Sequence, residues 1–384
     1  MIYLDNCATT KPRREVVDLM IKSLEEDFSN PSSLHSFGHR IEKKVEESRS
    51  IIAEFLNVMP EELYFTSGGT ESNNIFINGA VKRNKQIGNK IITTHLEHSA
   101  VGEVFKNLES DGYEVVYLSS DDNGKVDLEQ LRSEMNGNVS LVSIMHVNNE
   151  LGTINDIRSA SEIIKSANKN TFFHVDGVQA FGKIPVDLKN LGVDGYSISG
   201  HKIHAPKGIG ALYIRKGIQI SPIFFGGNQE KGIRSGTENT TGIFAFGKAV
   251  EILKKNFIEE DELKDKLRNQ MVNLLEKNFT DYVINTPLDN SPNSILNVSF
   301  FHTRGEVILH YLEQDEIYIS TTSACSSNSK TKSNLEKLGK STEICDGSIR
   351  ICLGYENTME DIEIFMEKLH FAVEDIRKIT MRKR

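Results

Sequence analysis

The sequence predicts an α/β protein, with a large domain built on a mainly parallel seven-stranded sheet and a smaller α+β domain after it. Runs rich in β-branched and aromatic residues alternate with helical stretches such as 156–170, which is the pattern of parallel strands joined by helices. Several runs are apolar almost throughout, as strands are when both faces of a sheet are covered. The seven predicted strands are 62–68, 90–95, 113–119, 139–147, 171–177, 194–200 and 210–216.

A change of pattern after about residue 240 predicts the smaller domain. Apolar residues at helical spacing mark a long amphipathic helix over 263–275 and a last helix over 362–376. Between these helices, three further runs have the composition of strands. They are 294–301, 317–321 and 348–354.

Composition and charge exclude several classes of function. The chain has 384 residues, of which 38% are hydrophobic and 26% charged, as in ordinary soluble globular proteins. Its net charge of -9 gives no reason to expect a nucleic acid or a membrane as partner. No apolar run approaches the roughly 20 residues of a membrane-spanning helix. Because the start, MIYLDNCATT, also lacks the features of a signal peptide, we expect a cytoplasmic protein.

Cysteine usage predicts neither a metal site nor a disulfide framework. The four cysteines, Cys7, Cys325, Cys345 and Cys352, are far apart or in unmatched contexts. No pair has the spacing of a zinc ribbon, and disulfides are rare in large cytosolic chains. Taken singly, a cysteine is most often a small buried hydrophobe. Cys352 alternates with apolar neighbours and is expected to be buried in a strand.

The stretch YFTSGGTESNN (64–74) has the pattern of a phosphate-binding turn. It runs from a predicted strand through Gly68 and Gly69 into Thr70 and a helical stretch. Glycines allow a ligand to approach the backbone closely, and the first amides of a helix are unpaired donors at its positive end. A tight turn with Thr70 as an N-cap is the alternative interpretation of the same residues.

Polar side chains follow four other predicted strands. HVDGVQAFG ends a strand in Asp176 and places Gln179 three residues later, THLEHSAV places His98 before a helix, and MHVNNELG contains Asn149. A buried carboxylate such as that of Asp176 is costly without a cationic partner. The segment SISGHKIHAPKGIGALYI (197–214) adds Lys202, either as a solvated lysine in a surface turn or as a buried amine.

Together these residues suit one ligand. In parallel sheets, ligands collect at the carboxyl ends of the strands, where the predicted phosphate turn, aspartate, imidazole, amide and lysine would meet. Pyridoxal 5′-phosphate has a phosphate, a ring nitrogen that should stay protonated, and an aldehyde that forms a Schiff base with a lysine. Lys202 would be that lysine, with a pKa lowered by burial and by neighbouring cations.

The chain resembles the NifS/IscS-type cysteine desulfurases, which are fold-type I transferases dependent on pyridoxal phosphate. Eight motifs carry the resemblance in order over essentially the whole chain. They are YLDNCATT, FTSGGTESNN, EHSAV, VSIMHVNNELG, HVDGVQAFGK, SISGHKIHAPKGIGALYIRK, GIRSGTEN and SACSS. The resemblance implies an N-terminal segment, 1–15, that packs on the small domain, a large cofactor-binding domain, 16–250, and a small domain, 251–384, that carries a mobile cysteine loop.

The resemblance also implies a role for each candidate site residue. Gly69, Thr70, Ser199 and His201 would bind the phosphate, with Thr237 reaching it from the other subunit of a homodimer. Asp176 would pair with the ring nitrogen, His98 would stack on the ring and carry protons, and Asn149 and Gln179 would contact the phenolic oxygen region. Asn149 and Arg350 would bind the substrate, with Arg350 holding its carboxylate.

Cys325 takes a different role from the other cysteines under this resemblance. It lies among small hydroxyl residues in SACSS, and the corresponding family cysteine attacks the sulfur of bound L-cysteine as a thiolate. The implied products are L-alanine and a persulfide on Cys325. That sulfur would pass to an acceptor protein for iron–sulfur cluster assembly or for tRNA or cofactor thiolation.

Two alternative functions are compatible with parts of the pattern. A selenocysteine lyase or an aminotransferase on the same scaffold would share Lys202, Asp176 and Gly69, but an aminotransferase has no use for Cys325. A non-enzymatic scaffold protein would be expected to lose Lys202 or the phosphate turn, and neither is lost.

Overall fold

The computed structural model describes residues 1–321 and 332–381. The strands are β1 Ile2–Tyr3, β2 Leu63–Thr66, β3 Lys90–Thr94, β4 Glu114–Leu118, β5 Val139–Met145, β6 Phe172–Asp176, β7 Gly195–Ser199, β8 Gly210–Ile214, β9 Tyr282–Ile284, β10 Ile295–Phe300, β11 Ile317–Tyr318, β12 Ser320–Thr321 and β13 Ser348–Cys352. The α-helices are α1 Arg14–Glu26, α2 Ser36–Phe55, α3 Gly69–Arg83, α4 Ser99–Ser110, α5 Leu128–Glu134, α6 Ile157–Ala167, α7 Leu188–Leu191, α8 Thr240–Asn278, α9 Gly305–Leu312, α10 Asn334–Lys337, α11 Thr342–Asp346 and α12 Met359–Met381.

The predicted mainly parallel sheet is confirmed. In the described part of the chain it has seven strands in the order β2–β8–β7–β6–β5–β3–β4. Neighbouring strands are parallel except at β8, which is antiparallel to both β2 and β7. Each predicted run contains one of these strands. The carboxyl ends of β5, β6 and β7 therefore meet at one edge, where the predicted polar side chains follow them.

The C-terminal part forms a second sheet in the order β12–β13–β10–β9, with antiparallel neighbours. The prediction of one strand over 317–321 was wrong, because the chain changes sheets at Ile319. The strand β11 pairs with β1, whereas β12 pairs with β13. The β1 pairing brings the first residues of the chain onto this region, and Ile2 and Leu4 pack in its apolar core.

The helix α8 is 39 residues long and continues through the predicted division at 250/251. Its first part, including Phe246, packs in the core beneath the large sheet. Its last part, including Leu267 and Met271, packs in the core of the smaller sheet. One helix thus contributes to both apolar cores, and the three-part division of the chain stays a prediction. No helix in residues 1–321 and 332–381 is apolar over a length that would cross a membrane.

Close packing of α3 on the sheet fixes the position of its N-terminal end. Phe76 of α3 is fully buried and lies over Gly195 of β7. A Cβ atom at Gly195 would lie 2.2 Å from Cε2 of Phe76, well inside van der Waals contact. The missing side chain at this strand position therefore allows the helix to approach the sheet.

We expect Gly195→Ala to destabilise the protein by about 1–3 kcal/mol, because overpacking forces the α3 helix or the Phe76 ring to move. The free energy of unfolding in urea measures the effect. Gly137→Ala is the matched control, since nothing lies within 4 Å of a Cβ built there. Equal stabilities of the two variants would contradict this account of the helix–sheet contact.

Candidate active site

A cavity of about 280 Å³ opens at the carboxyl ends of the parallel strands. It brings together residues from the turn before α3, the start of α4, the loops after β5 and β6, and the end of β7. Predicted site residues supply most of its polar lining. They are Gly69, Thr70, His98, Asn149, Asp176, Gln179, Ser199, His201 and Lys202.

One end of the cavity has the geometry of an anion site. The helix α3 begins at Gly69, so its first amides have no acceptor within the helix. Gly68, with φ of +153°, lies beside the hydroxyl of Ser199, and a Cβ at Gly69 would lie 2.4 Å from Cγ2 of Val178. Both glycines thus permit a turn in which backbone donors and hydroxyl groups converge, as phosphate binding requires.

Asp176 is a buried carboxylate at the end of β6, only 5% exposed. Its oxygens accept hydrogen bonds from Nδ2 of Asn73, at 2.8 Å, and from the Val178 amide, at 3.0 Å. Both donors are neutral, and no described Lys, Arg or His side chain forms an ion pair with it. A buried carboxylate of this kind is an acceptor for a cationic group that enters the cavity.

The Lys202 amine is held against the N-terminal segment. Its Nζ donates to the carbonyl oxygens of Cys7, at 2.5 Å, and Ala8, at 2.8 Å. Burial, together with the positive charge of Lys183, lowers the pKa of Lys202 to about 8. A larger fraction of this amine is therefore neutral near pH 7 than of a solvated lysine, and a neutral amine can act as a nucleophile or as a base.

His98 caps α4 and faces the same cavity. Its Nδ1 accepts a hydrogen bond from the amide of Ala100 at 3.1 Å, which leaves the proton of the neutral ring on Nε2. Burial lowers the pKa of His98, the charge of Asp176 opposes this, and that of Lys202 reinforces it. A neutral imidazole with a fixed tautomer can stack on a ring and exchange a proton.

Glu97 lies behind His98 as a buried carboxyl group. Its Oε1 accepts from the Met145 amide, at 2.7 Å, and from the Thr94 hydroxyl, at 3.1 Å. Its Oε2 is buried with no partner among the described residues. Burial and the charge of Asp176 raise the pKa of Glu97 to about 8. The protonated form is therefore favoured at neutral pH.

Two described site residues of the prediction, Arg350 and Thr237, are not part of this lining. The Arg350 guanidinium pairs with Asp5 at 2.9 Å and donates to the Asn149 carbonyl at 2.7 Å, so that it lies behind Asn149. Thr237 is exposed on the segment before α8. Cys325, with its predicted mobile loop, lies outside the described residues. The roles of all three stay predictions.

Residues 332–334 lie close to the cavity. A second cavity shares His98 and Asn149 with the first. It is also lined by Lys332, Ser333 and Asn334. The Asn334 amide donates to Oε2 of Glu150 at 3.0 Å.

Sequence reasoning missed three residues that shape the site. Asn73 orients Asp176. Asn73 follows Gly69 by four residues and so lies on the same face of α3, and this spacing could have identified Asn73 from the sequence. Lys183 similarly follows Gln179 by four residues, and its amine donates to the Gln179 side chain. Cys7, whose carbonyl accepts from both Lys202 and Gln179, had no comparable signal.

Comparisons with known proteins agree with this geometry. The profile of the family described as aminotransferase class-V matches residues 2–365. The chain is 42% identical over 380 residues to the cysteine desulfurase IscS of Dictyoglomus turgidum, covering 99% of this chain and 96% of the relative. It is 40% identical to the cysteine desulfurase IscS of Methanosarcina thermophila, with coverage of 99% and 93%. A solved NifS-like protein superposes with a TM-score of 0.92 at 38% identity, covering 97% and 99% of the two chains.

We expect Glu97→Gln to become more stable than the wild type as pH rises from about 5 to about 8. In the folded protein Glu97 keeps its proton up to about pH 8, whereas in the unfolded chain it ionises near 4.5. The folded state therefore binds more protons over this window, and its free energy of unfolding falls with rising pH. Glutamine keeps the Oε1 acceptor but cannot ionise.

The measurement is the free energy of unfolding in urea at pH values of about 5, 6.5 and 8. The advantage of Glu97→Gln should grow by on the order of 1–3 kcal/mol across the series. A difference that stays constant with pH would show that Glu97 is ionised in the folded protein.

Proposed function

The chain belongs to the aminotransferase class-V family, among the cysteine desulfurases of the NifS/IscS type, and we propose that it uses pyridoxal 5′-phosphate to remove sulfur from L-cysteine. The products are L-alanine and a persulfide on Cys325, from which the sulfur passes to an acceptor protein. The names of the relatives support the reaction class. The observation that carries the cofactor assignment is the buried carboxylate of Asp176, which forms no ion pair with any described side chain.

The residues present fit this cofactor. Asp176 would hold the proton on the pyridine nitrogen, and its hydrogen bond from Asn73 keeps the carboxylate oriented toward the cavity. The α3 amides at Gly69 and Thr70, with Ser199 and His201, would bind the phosphate. Burial and the charge of Lys202 lower the pKa of His201 to about 4, so His201 is a neutral hydrogen-bonding group at neutral pH.

Around the bound ring, the remaining lining residues have complementary roles. His98 would stack on one face, and Asn149 and Gln179 would contact the region of the phenolic oxygen. Gln179 is itself fixed, because its Nε2 donates to the Cys7 carbonyl at 2.9 Å and its Oε1 accepts from Lys183. Such locked side chains orient a ligand at little entropic cost.

When bound, the cofactor supplies an electron sink that makes the α-proton of an amino acid acidic. The Lys202 Nζ accepts this proton, and its lowered pKa matches the task, since a general base works best with a pKa near the working pH. Arg350 binds the carboxylate of L-cysteine through its guanidinium. Arg350 also donates a hydrogen bond to the carbonyl of Asn149, so these two substrate-binding residues hold each other in position.

The sulfur transfer itself is the task of Cys325. Its thiolate attacks the substrate sulfur, the carbon–sulfur bond breaks, and the new sulfur–sulfur bond leaves a persulfide on Cys325. His98, with its proton on Nε2, supplies a proton inside the cavity. Reaction of the persulfide with an acceptor protein completes the cycle and regenerates the thiol.

The proposal extends to assembly and location. We propose a homodimer in which Thr237 of one subunit reaches the phosphate site of the other, which is consistent with its position outside the cavity lining of its own chain. The proposed location is the cytoplasm. The proposed acceptors are proteins of iron–sulfur cluster assembly or of tRNA or cofactor thiolation.

Incubation with L-cysteine and a reductant should yield alanine and sulfide in equal amounts. In Lys202→Ala we expect both products to fall by about 10²–10⁴-fold or more, because the reaction loses its base. Lys207→Ala, on the same loop but exposed, is the matched control and should retain activity. Pyruvate with ammonia in place of alanine would overturn the assignment in favour of β-elimination.

Cys325→Ala distinguishes this reaction from other activities on the same scaffold. We expect the variant to bind the cofactor, with unchanged absorbance at about 400 nm. It should form no alanine from L-cysteine, because the attacking thiolate is missing. Cys345→Ala serves as the control for loss of a cysteine. Full-rate conversion of the substrate by Cys325→Ala would instead support an aminotransferase.

A further inference from the structure

Two cysteines that are distant in sequence meet behind Lys202. Cys7 follows β1 in the N-terminal segment, and Cys352 ends β13; they are 1% and 0% exposed. Backbone hydrogen bonds join the two segments, from the Cys352 amide to the Leu4 carbonyl at 2.6 Å and from the Asn6 amide to the Cys352 carbonyl at 3.2 Å. The two side chains pack in the same small buried cluster, together with Val147, Ala180 and Ile295.

Positive charge surrounds the Cys7 sulfur. The Nζ of Lys183 lies 3.5 Å from Sγ of Cys7. Burial alone would raise the pKa of the Cys7 thiol, but the neighbouring Cys352 thiol and the Lys183 charge more than offset it and lower this pKa. Burial and the neighbouring Cys7 charge raise the pKa of Cys352. These opposite shifts favour ionisation at Cys7 over ionisation at Cys352.

We propose that Cys7 and Cys352 form a redox-active dithiol that a peroxide oxidises to a disulfide. A thiolate with a thiol partner in contact is the arrangement from which this reaction proceeds. The Cys7 thiolate attacks hydrogen peroxide, which gives a sulfenic acid and hydroxide. The Cys352 sulfur then attacks the sulfenic sulfur, so that a disulfide forms and water leaves. A dithiol reductant reverses the reaction by thiol–disulfide exchange.

Two cavities flank the backbone of Cys7. The residue after Cys7, Ala8, lines the active-site cavity, and the residue before it, Asn6, lines a separate small cavity that also contacts Lys183 and Lys202. The Cys7 backbone thus lies between two openings although its sulfur is buried. Larger thiol reagents would be excluded while the protein is folded.

Oxidation would also change the electrostatics of Lys202. The Cys7 charge raises the pKa of Lys202, opposing the effects of burial and of Lys183. A disulfide carries no charge, so its formation removes this anion and lowers the affinity of the Lys202 nitrogen for a proton. The charged groups that act on Lys202 are Lys183 from the loop after β6, Cys7 from the N-terminal segment, and Arg350 and Cys352 from β13.

The test uses the cofactor-bearing protein with Cys325→Ser, which removes the persulfide-forming thiol. After treatment with hydrogen peroxide we expect the intact mass to fall by about 2 Da, the mass of two hydrogens, and a Cys7 peptide to be linked to a Cys352 peptide. Dithiothreitol should reverse both changes. Cys345 is the internal control and should stay available to iodoacetamide after denaturation.

Cys352→Ser in the same background should prevent the link, leaving only oxygen addition at Cys7. The proposal is overturned if Cys7 and Cys352 both stay alkylatable after peroxide treatment, or if Cys7 gains oxygen without joining Cys352 in the protein that retains both. These mass measurements need no turnover, so they are independent of the desulfurase activity proposed above.

A pH titration of the same oxidised and reduced proteins tests the link to Lys202. When Lys202 carries the cofactor, the absorbance band at about 400 nm reports the protonation of the Lys202 nitrogen. We expect its midpoint to move to lower pH after oxidation. A disulfide that leaves the midpoint unchanged would overturn the coupling between the cysteine pair and Lys202.

Discussion

The carboxylate of Asp176, buried at the end of β6 with no ion-pair partner in the described part of the chain, is the constraint around which the site is built. Isolated burial of such a charge is unfavourable, and the fold offsets the cost with neutral donors from Asn73 and from the Val178 amide. The field of this charge extends further: it adds to burial in raising the pKa of Glu97, and it opposes the lowering of the pKa of His98 by burial. A protonated Glu97 leaves Asp176 as the dominant negative charge on this side of the cavity.

On the opposite side of the cavity, positive charge predominates. Lys202 and Lys183 lie close together, and the charge of Lys183 adds to burial in lowering the pKa of Lys202. The carbonyls of Cys7 and Ala8 accept from Lys202 and hold its amine in place. The N-terminal segment is therefore part of the site rather than an appendage, because it supplies the acceptors that position the amine.

The sequence alone predicted most of the fold and the lining of the cavity, because both depend on local pattern. Apolar runs locate the buried strands, and polar residues such as Asp176 follow the strands whose ends meet. Gly68 and Gly69 mark a turn where a helix begins at the cavity. Those features depend on a few consecutive residues. The change of sheet at Ile319 was missed because two short strands in different sheets have the same composition as one.

What could not be predicted depends on residues that are distant in sequence. Considered singly, Cys7 and Cys352 each have the pattern of a buried apolar cysteine. The expected burial of Cys352 is confirmed. Only the pairing of β1 with β11 and the bridge from Asp5 to Cys352 bring the two together. A thiol next to a second thiol and to Lys183 has a chemistry that neither environment has alone. The function of such a pair is therefore a property of the tertiary structure, which no local motif encodes.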